Sequence, residues 1–218
     1  MACVGVLAAG GSAAIGQNLV FDFSANTGAT IGFSGASHQF NFNPGTNGFQ
    51  WNITSEAGGA SAIGLNGSFL NGPFSYGSIS TINVGPISYQ SAPVTGLPAN
   101  LSIFDGTGYL TGSVSFMDIE TFGPSLGSLN GGLNINLSSI SYSGSNPDLV
   151  TLRNEQPAVL DLSFQFIPGQ NLTQLSTGSG PYTTSFSGSI AAVPEPTTLA
   201  LAGLGGFFTL LGAVRRRK

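Results

Sequence analysis

Residues 38–53, HQFNFNPGTNGFQWNI, carry the clearest structural signal in the chain. Large side chains occupy every second position on both sides of a Pro/Gly/Asn-rich segment, at His38, Phe40 and Phe42 and again at Phe49, Trp51 and Ile53. Period two is the strand period, and residues 43–48 have the composition of a turn. The stretch therefore predicts two antiparallel strands joined as a hairpin, with a loop longer than the tight two-residue kind.

The same alternation extends in both directions along residues 18–192, whereas helical periodicity is absent there. It recurs at Leu19, Phe21 and Phe23, at Leu110, Val114 and Phe116, at Leu133, Ile135 and Leu137, at Leu160, Leu162, Phe164 and Phe166, and at Tyr182, Thr184, Phe186 and Ile190. About ten to twelve strands separated by Gly/Pro/Asn-rich turns are typical of an all-β domain. We therefore predict an antiparallel β-sandwich or jelly-roll-like body.

The composition indicates a polar but nearly uncharged surface. Charged residues make up 6% of the 218 residues, against about 25% in typical globular proteins. Residues 194–218 hold four of the five cations and one of the nine acids, so the body has a net charge of −7 and Arg153 as its one cation. A single cation cannot neutralise several phosphates, which excludes nucleic acid as a partner. The composition suits an extracytoplasmic β domain.

Residues 1–17 have the pattern of a signal-peptide remnant. A short apolar run is followed by small residues suited to cleavage, but no Lys or Arg precedes it, so we expect the natural start to lie upstream. The single cysteine, Cys3, lies in this leader. The body at residues 18–192 therefore has no disulfide, thiolate metal site or cysteine nucleophile.

The C-terminal tail has three consecutive parts. Residues 197–214 are uncharged and apolar, and as a helix they would extend about 27 Å, at the short end of what crosses a hydrocarbon core of about 30 Å. A basic cluster would stop translocation and stay cytoplasmic, leaving the body outside. The flanking segments are Val193, Pro194, Glu195 and Pro196 before the span and Arg215, Arg216, Arg217 and Lys218 after it. We predict a C-terminal single transmembrane helix at 197–214.

This order of elements resembles the PEP-CTERM sorting signal of Gram-negative bacteria. The resemblance covers about residues 193–218, and a GPI-type signal, the nearest competitor, lacks the basic stop. It implies that an exosortase, an integral-membrane protease or transpeptidase, recognises and cuts the tail. It also implies export across the inner membrane, membrane anchoring before processing, and association with exopolysaccharide and biofilm matrix. It transfers no activity to residues 18–192.

The titratable residues of the body offer two weak candidates for catalysis. His38 is the only histidine, so a zinc site with two histidines is excluded, and its position beside Phe40 indicates a core or rim residue. Asp118 and Glu120 are two positions apart and could serve glycoside hydrolysis as a carboxylate pair. A β-bulge near Met117 is the favoured alternative, because it would turn both acids to solvent and Ile119 inward.

The other polar and aromatic candidates favour structural roles. The segment Asp105-Gly106-Thr107-Gly108 occurs in some calcium loops, but it supplies one carboxylate and a plain turn is favoured. Asp148, Glu155 and Asp161 are too scattered along the sequence to assign. Trp51 shares a face with apolar neighbours, as core residues do, and the tyrosines Tyr76, Tyr89, Tyr109, Tyr142 and Tyr182 could stack on sugar rings. We predict no catalytic residue, metal or cofactor.

The sequence thus predicts a non-enzymatic cell-surface or extracellular-matrix protein, sorted and processed through its tail. One alternative is a carbohydrate-binding module for exopolysaccharide, which an open aromatic groove would favour. A less favoured alternative is a glycan hydrolase or lyase, which would need two inward carboxylates roughly 5–9 Å apart in a cleft.

Overall fold

The computed structural model describes residues 19–96, 99–124 and 129–193, and this part of the chain is all-β, as predicted. The expected leader at 1–17 and membrane helix at 197–214 lie outside the described residues. The fourteen described strands are β1 (Val20–Ala25), β2 (Thr30–Phe33), β3 (Gln39–Asn43), β4 (Trp51–Ala57), β5 (Asn66–Leu70), β6 (Phe74–Tyr76), β7 (Ser80–Val84), β8 (Ile87–Thr95), β9 (Ala99–Phe104), β10 (Tyr109–Pro124), β11 (Leu129–Tyr142), β12 (Ala158–Phe166), β13 (Tyr182–Thr184) and β14 (Phe186–Ala192).

Two short α-helices interrupt the strands, α1 (Pro147–Asn154) and α2 (Leu172–Thr177), together with a 3-10 turn at Gly35–Ser37. Each α-helix begins at an asparagine that satisfies free backbone donors. The Asn146 side chain accepts from two backbone N–H groups of α1, and Asn171 forms a capping box with Gln174 at the start of α2. These caps explain why helices form where hydrophobic periodicity gave no signal.

Antiparallel pairing connects eight strands into a closed ring. The order is β11, β12, β14, β1, β4, β5, β9 and β10, and β10 pairs with β11 to complete the path. A branch of strands leaves this ring from β10 and continues through β8, β6, β3 and β2 to β13, with β7 paired to β8. The pairing therefore joins all described strands into one network, instead of the two separate sheets of the sandwich that the sequence suggested.

Strand β10 supports this branch because it has two successive neighbours on one side. Its first half, through Val114, pairs with β9, and its second half, from Asp118, pairs with β8. Between them the register with β11 shifts, since Phe116 lies opposite Ile135 and Asp118 lies opposite Asn134. The extra residue is Met117, so the bulge predicted from the sequence is confirmed and lies where the sheet divides.

The hairpin predicted at residues 38–53 is wrong, although its strands exist. Strand β3 pairs with β2 and β6, whereas β4 pairs with β1 and β5. The segment between them carries the chain from the branch to the ring. The alternation still predicted the buried faces correctly, because Phe40, Phe42, Trp51 and Ile53 are all buried.

Buried Gln50 holds this crossing in place. Its side-chain amide donates to the carbonyl oxygens of Phe42 and Phe69 at 3.1 and 3.0 Å, and its Oε1 accepts from the N–H of Phe69 at 2.6 Å. A side chain thus supplies hydrogen bonds that a ladder between β3 and β4 would have supplied. The last predicted strand is also divided, because residues 182–184 join the branch and residues 186–192 join the ring.

The core lies between the inside of the ring and the inner face of the branch, and it is rich in phenylalanine. Phe42 on the branch has its ring centroid 4.6 Å from that of Phe69 and 5.2 Å from that of Phe186. Within the ring, Trp51 is fully buried, 4.6 Å from Phe23. Such aromatic pairs add to the stabilisation from apolar burial. This core fixes the ring as a rigid support for its outward side chains.

Candidate functional site

Asp118 and Glu120 both project from the outer side of β10, on an open sheet face. Ile119 between them is fully buried and Met117 is exposed, as the bulge interpretation requires. The Tyr89 hydroxyl donates to Oε2 of Glu120 at 2.7 Å, and this bond, followed by burial, raises the pKa of Tyr89. The two acids therefore belong to a surface, where one already has a hydrogen-bonded partner.

These acids are part of two parallel rows of polar side chains that cross the ring. The strand register places residues side by side on successive strands, about 4.8 Å apart. The first row is Ser55, Asp22, Ser189, Asp161, Asn134 and Asp118. The second row is Asn52, Ser24, Ser187, Ser163, Glu120 and Ser91, with Gly132, which has no side chain, between Ser163 and Glu120. We call these two rows the outer polar face.

All members of the outer polar face are at least partly exposed. One groove of about 500 Å³ is lined by Asp22, Asp161 and Ser163. A second, of about 310 Å³, is lined by Ser163, Glu120 and Phe122. The face offers hydroxyls, amides and four carboxylates, and it bears no cation. Its chemistry is that of a surface that hydrogen-bonds to many hydroxyl groups at once.

An aromatic pair lies at one end of the outer polar face. Phe122 lies directly opposite Tyr89 on the neighbouring strand, and Tyr89 lies opposite Ile82 on the next. Phe122 is 50% exposed, and Tyr89 is half-buried. Two aromatic residues on one face beside polar groups form the kind of platform on which a sugar ring can stack. Sequence reasoning missed Phe122 because it considered only tyrosines and Trp51 for this role.

The Asp105 turn is closed by its own hydrogen bonds. Oδ1 of Asp105 accepts from the N–H groups of Thr107 and Gly108, at 2.7 and 2.6 Å, and from the Thr107 hydroxyl. Oδ2 accepts from the Tyr142 hydroxyl. These bonds, that of Tyr142 foremost, hold the pKa of Asp105 well below its usual range. The plain-turn interpretation accounts for the contacts of Oδ1, and Tyr142 on β11 supplies the contact of Oδ2.

His38 is a rim residue. It is half-buried, has a left-handed backbone conformation with φ 51°, and stacks on Tyr76 with ring centroids 5.3 Å apart. Across the described ranges 19–96, 99–124 and 129–193, no three His, Cys, Asp or Glu side chains lie close enough together to hold a metal ion. The half-buried position of His38 against Tyr76 is the rim position that the sequence indicated.

Sequence reasoning missed a carboxyl pair, Glu56 and Asp148. The pair lies at the end of the ring opposite the Tyr89–Phe122 pair. Oδ2 of Asp148 on α1 accepts from the backbone N–H groups of Ala60 and Ser61, at 3.3 and 2.6 Å, and from the Ser61 hydroxyl. Oε2 of Glu56 accepts from the N–H of Ala62 at 3.1 Å, while its Oε1 is buried beside Asp148 without a donor. A proton on Oε1 would be shared with Asp148. The pair fixes the β4–β5 loop against α1.

Burial, and then the proximity of Asp148, raises the pKa of Glu56 from 4.5 to about 7. The folded protein therefore holds this proton between about pH 4.5 and 7, where the unfolded chain has lost it. The resulting stabilisation is complete below pH 4.5 and is lost as the pH rises through 7. The pKa of Asp148 is lowered because its hydrogen bonds outweigh burial, so its contribution is lost instead as the pH falls into the acid range.

We expect the melting temperature of the protein to fall between pH 5.5 and pH 8.5, and Glu56→Gln to remove most of that fall. Glutamine keeps the shape of the protonated acid, and it cannot ionise to place a second negative charge beside Asp148. Thermal unfolding monitored by circular dichroism at both pH values measures the difference. Asp161→Asn, on the outer polar face, is the matched control and should keep the wild-type dependence. Equal pH dependence in Glu56→Gln and wild type would contradict this assignment.

The last described residues, Ala192 and Val193, are hydrogen-bonded to the body at the point where the tail begins. Strand β14 lies between β1 and β12 in the ring. The N–H of Ala192 donates to the carbonyl of Leu19, and the N–H of Val193 donates to that of Pro157, both at 3.0 Å. Ala192 is buried and Val193 is 40% exposed. The tail therefore leaves directly from an interior strand.

Residues 192–218 match the family described as the PEP-CTERM protein-sorting motif. The tail is a PEP-CTERM sorting motif. The resemblance recognised in the sequence is thereby confirmed, and the motif implies processing by an exosortase, export, and C-terminal membrane anchoring before processing. Comparison of the chain with curated proteins and with solved structures gave no match.

The PEP-CTERM motif begins inside the folded body, because its first residue is the last residue of β14. The remaining predicted site residues, Pro194, Glu195 and Pro196 and the stop residues Arg215, Arg216, Arg217 and Lys218, lie outside the described residues. Among the described residues, no helix has the length and apolarity to span a membrane.

Proposed function

We propose that this protein is a non-enzymatic component of the cell surface or extracellular matrix, delivered there by exosortase processing of its PEP-CTERM motif. The match at residues 192–218 carries the proposal. The body adds support, since Asp118 and Glu120 project from an open face and both oxygens of Asp105 accept hydrogen bonds, from its own turn and from Tyr142. The exosortase and the inner membrane are transient partners on this route.

The position of the junction supports display of the outer polar face. Ala192 lies opposite Ala158 at one end of β12. The Tyr89–Phe122 pair shares a row with Gln165, seven residues farther along β12, or about 23 Å at 3.3 Å per residue. While the protein is anchored, the aromatic end of the face therefore lies far from the attachment point.

The test of this proposal is expression of the full chain in hosts with and without an exosortase. With the enzyme, the body should appear as a shortened product in the surface or extracellular fraction. Without it, full-length protein should remain in the membrane fraction. Membrane retention of full-length protein in both hosts would overturn the proposal.

The second candidate function is binding of exopolysaccharide, and the outer polar face with its aromatic end favours it. Sugar chains present many hydroxyls for hydrogen bonding and apolar ring faces for stacking, and the face offers partners for both. Its four carboxylates, without a cation, would repel an acidic polymer and leave a neutral one unaffected. We therefore propose a neutral polysaccharide as the ligand class.

For this second function, we expect Tyr89→Ala and Phe122→Ala each to weaken binding to a neutral glucan or to the host exopolysaccharide by roughly tenfold. Each removes an aromatic contact that contributes about 1–2 kcal/mol to the binding free energy. Affinity electrophoresis of folded variants measures the change. Tyr109→Ala removes a tyrosine that is 52% exposed and lies far from Phe122 along β10, and it should bind as wild type does. Undiminished binding of both variants would exclude the platform.

A further inference from the structure

Strand β7 has an open edge. Within the described part of the chain it pairs with β8 and with no other strand, so one side of its backbone lacks a ladder partner. All five of its residues are exposed, and Ile82 and Val84 are 59% and 70% exposed. An open edge is a template on which another extended strand can pair.

The features that usually block such an edge are absent from β7. Natural edge strands carry charged residues, prolines or bulges that prevent pairing. Residues 57–104, which include β7 and both of its flanks, contain no charged residue. Strand β7 contains no proline, and its register with β8 is continuous from Ser80 to Val84. Within the described residues, nothing therefore blocks a strand from pairing at this edge.

The turn after β7 determines which backbone groups face the open side. Gly85, with φ 60°, and Pro86 form a two-residue loop between Val84 and Ile87. In such a hairpin the closing pair is hydrogen-bonded, and the bonds then alternate along the strands. Thr81 and Asn83 consequently direct their N–H and C=O groups away from β8, to the open edge.

Apolar side chains border this edge on one face of the sheet. Ile82 lies opposite Tyr89, which lies opposite Phe122, and Val84 lies opposite Ile87. Ile87 is 38% exposed. The nearest carboxylate on that face is Glu120, which is hydrogen-bonded to Tyr89. A neutral, apolar strand added at the edge would cover Ile82 and Val84 without burying a charge.

We propose that β7 pairs antiparallel with β7 of a second copy of this chain, on a two-fold axis through Ile82. In this register Thr81 of each copy lies opposite Asn83 of the other, so the groups that face the open edge bond to one another. The Ile82 side chains meet across the axis. A second copy fits because the strand is neutral and, pairing with itself, places no like charges opposite each other. The closed, isologous contact gives a dimer.

The experiment uses the full chain in a Cys3→Ser background, extracted under mild conditions and oxidised. Ile82→Cys should form a covalent dimer, because residues facing each other at a non-hydrogen-bonded antiparallel pair have the Cβ separation of a disulfide. Ile63→Cys is the matched control, since Ile63 is 50% exposed in the β4–β5 loop. We expect its dimer yield to be lower by at least about fivefold.

Two further variants test the register and the edge. Thr81→Cys should cross-link less than Ile82→Cys, because its own counterpart is not directly opposite. Adding Asn83→Pro to Ile82→Cys removes an edge donor without altering the bonds to β8 and should reduce the dimer yield, with the melting temperature showing that the fold is kept. Equal yields from Ile63→Cys and Ile82→Cys, or an unaffected yield with Asn83→Pro, would overturn the proposal.

Discussion

Replacing Pro194, Glu195 and Pro196 together by alanine is expected to abolish C-terminal processing while leaving the melting temperature of the body nearly unchanged. The tail is a PEP-CTERM motif, and this segment is the part of it outside the apolar span and the basic stop. It follows Val193, the residue after β14 and the last one that the structure describes, whose N–H donates to the carbonyl of Pro157. The packing and ladders described for the body are formed by residues before Pro194, so we expect them to persist in the variant.

The measurement is the ratio of processed to full-length protein in a host carrying the exosortase, read by immunoblot of membrane and surface fractions. A matched triple variant, Ser163, Ser185 and Ser187 to alanine, changes three exposed residues of the body and should be processed as wild type is. Normal trimming and display of the Pro-Glu-Pro variant would mean that the enzyme reads another part of the tail.

This prediction also depends on the junction being short. Ala192 is both the first residue of the matched motif and a buried residue of an interior strand. A membrane enzyme that recognises the motif must therefore bind a segment that lies only a few residues from the folded body. From the sequence we expect Pro194 and Pro196 to favour an extended backbone there, because proline disfavours helix in the residue before it. Alanine at all three positions would remove this restriction together with the Glu195 carboxylate.

The sequence predicted local features of the fold better than the connections between strands. Alternation identified the buried faces at Phe21, Phe42, Trp51 and Phe164, because burial of alternate side chains is a property of each strand alone. It could not identify partners, since four of the eight pairs in the ring join strands that are not consecutive in the chain. The 38–53 hairpin failed for this reason: a long Gly/Asn-rich loop can return a strand to its neighbour or carry it to another sheet.

The two helices and the carboxyl pair differ in how they could have been found. Asn146-Pro147-Asp148 and Asn171 with Gln174 are helix-start signals that could have been read from the sequence. The Glu56–Asp148 pair has no such signal, because the residues lie on separate elements that only the closed ring brings together. The outer polar face is similar, since its rows depend on a register that spans seven strands.

The largest effect on stability is expected for Phe42→Ala, which should lower the free energy of unfolding by about 3–5 kcal/mol. Phe42 lies on β3 of the branch and is 7% exposed. Its phenyl group contacts those of Phe69, Phe116 and Phe186, at centroid distances of 4.6, 6.4 and 5.2 Å. These three residues lie on β5, β10 and β14, which are strands of the ring. Alanine would leave a cavity where the branch meets the ring.

Chemical denaturation followed by tryptophan fluorescence measures this loss, since Trp51 is the only tryptophan and is fully buried in the ring. Phe122→Ala is the matched control. It removes a phenyl group of the same size from a 50% exposed position, where substitutions change the free energy of unfolding by no more than about 0.5 kcal/mol. Phe42→Leu should lie between the two, because leucine fills part of the cavity. If Phe42→Ala were no more destabilising than Phe122→Ala, the stability of the eight-stranded ring would not depend on the branch. The aromatic core would then not be what joins the two.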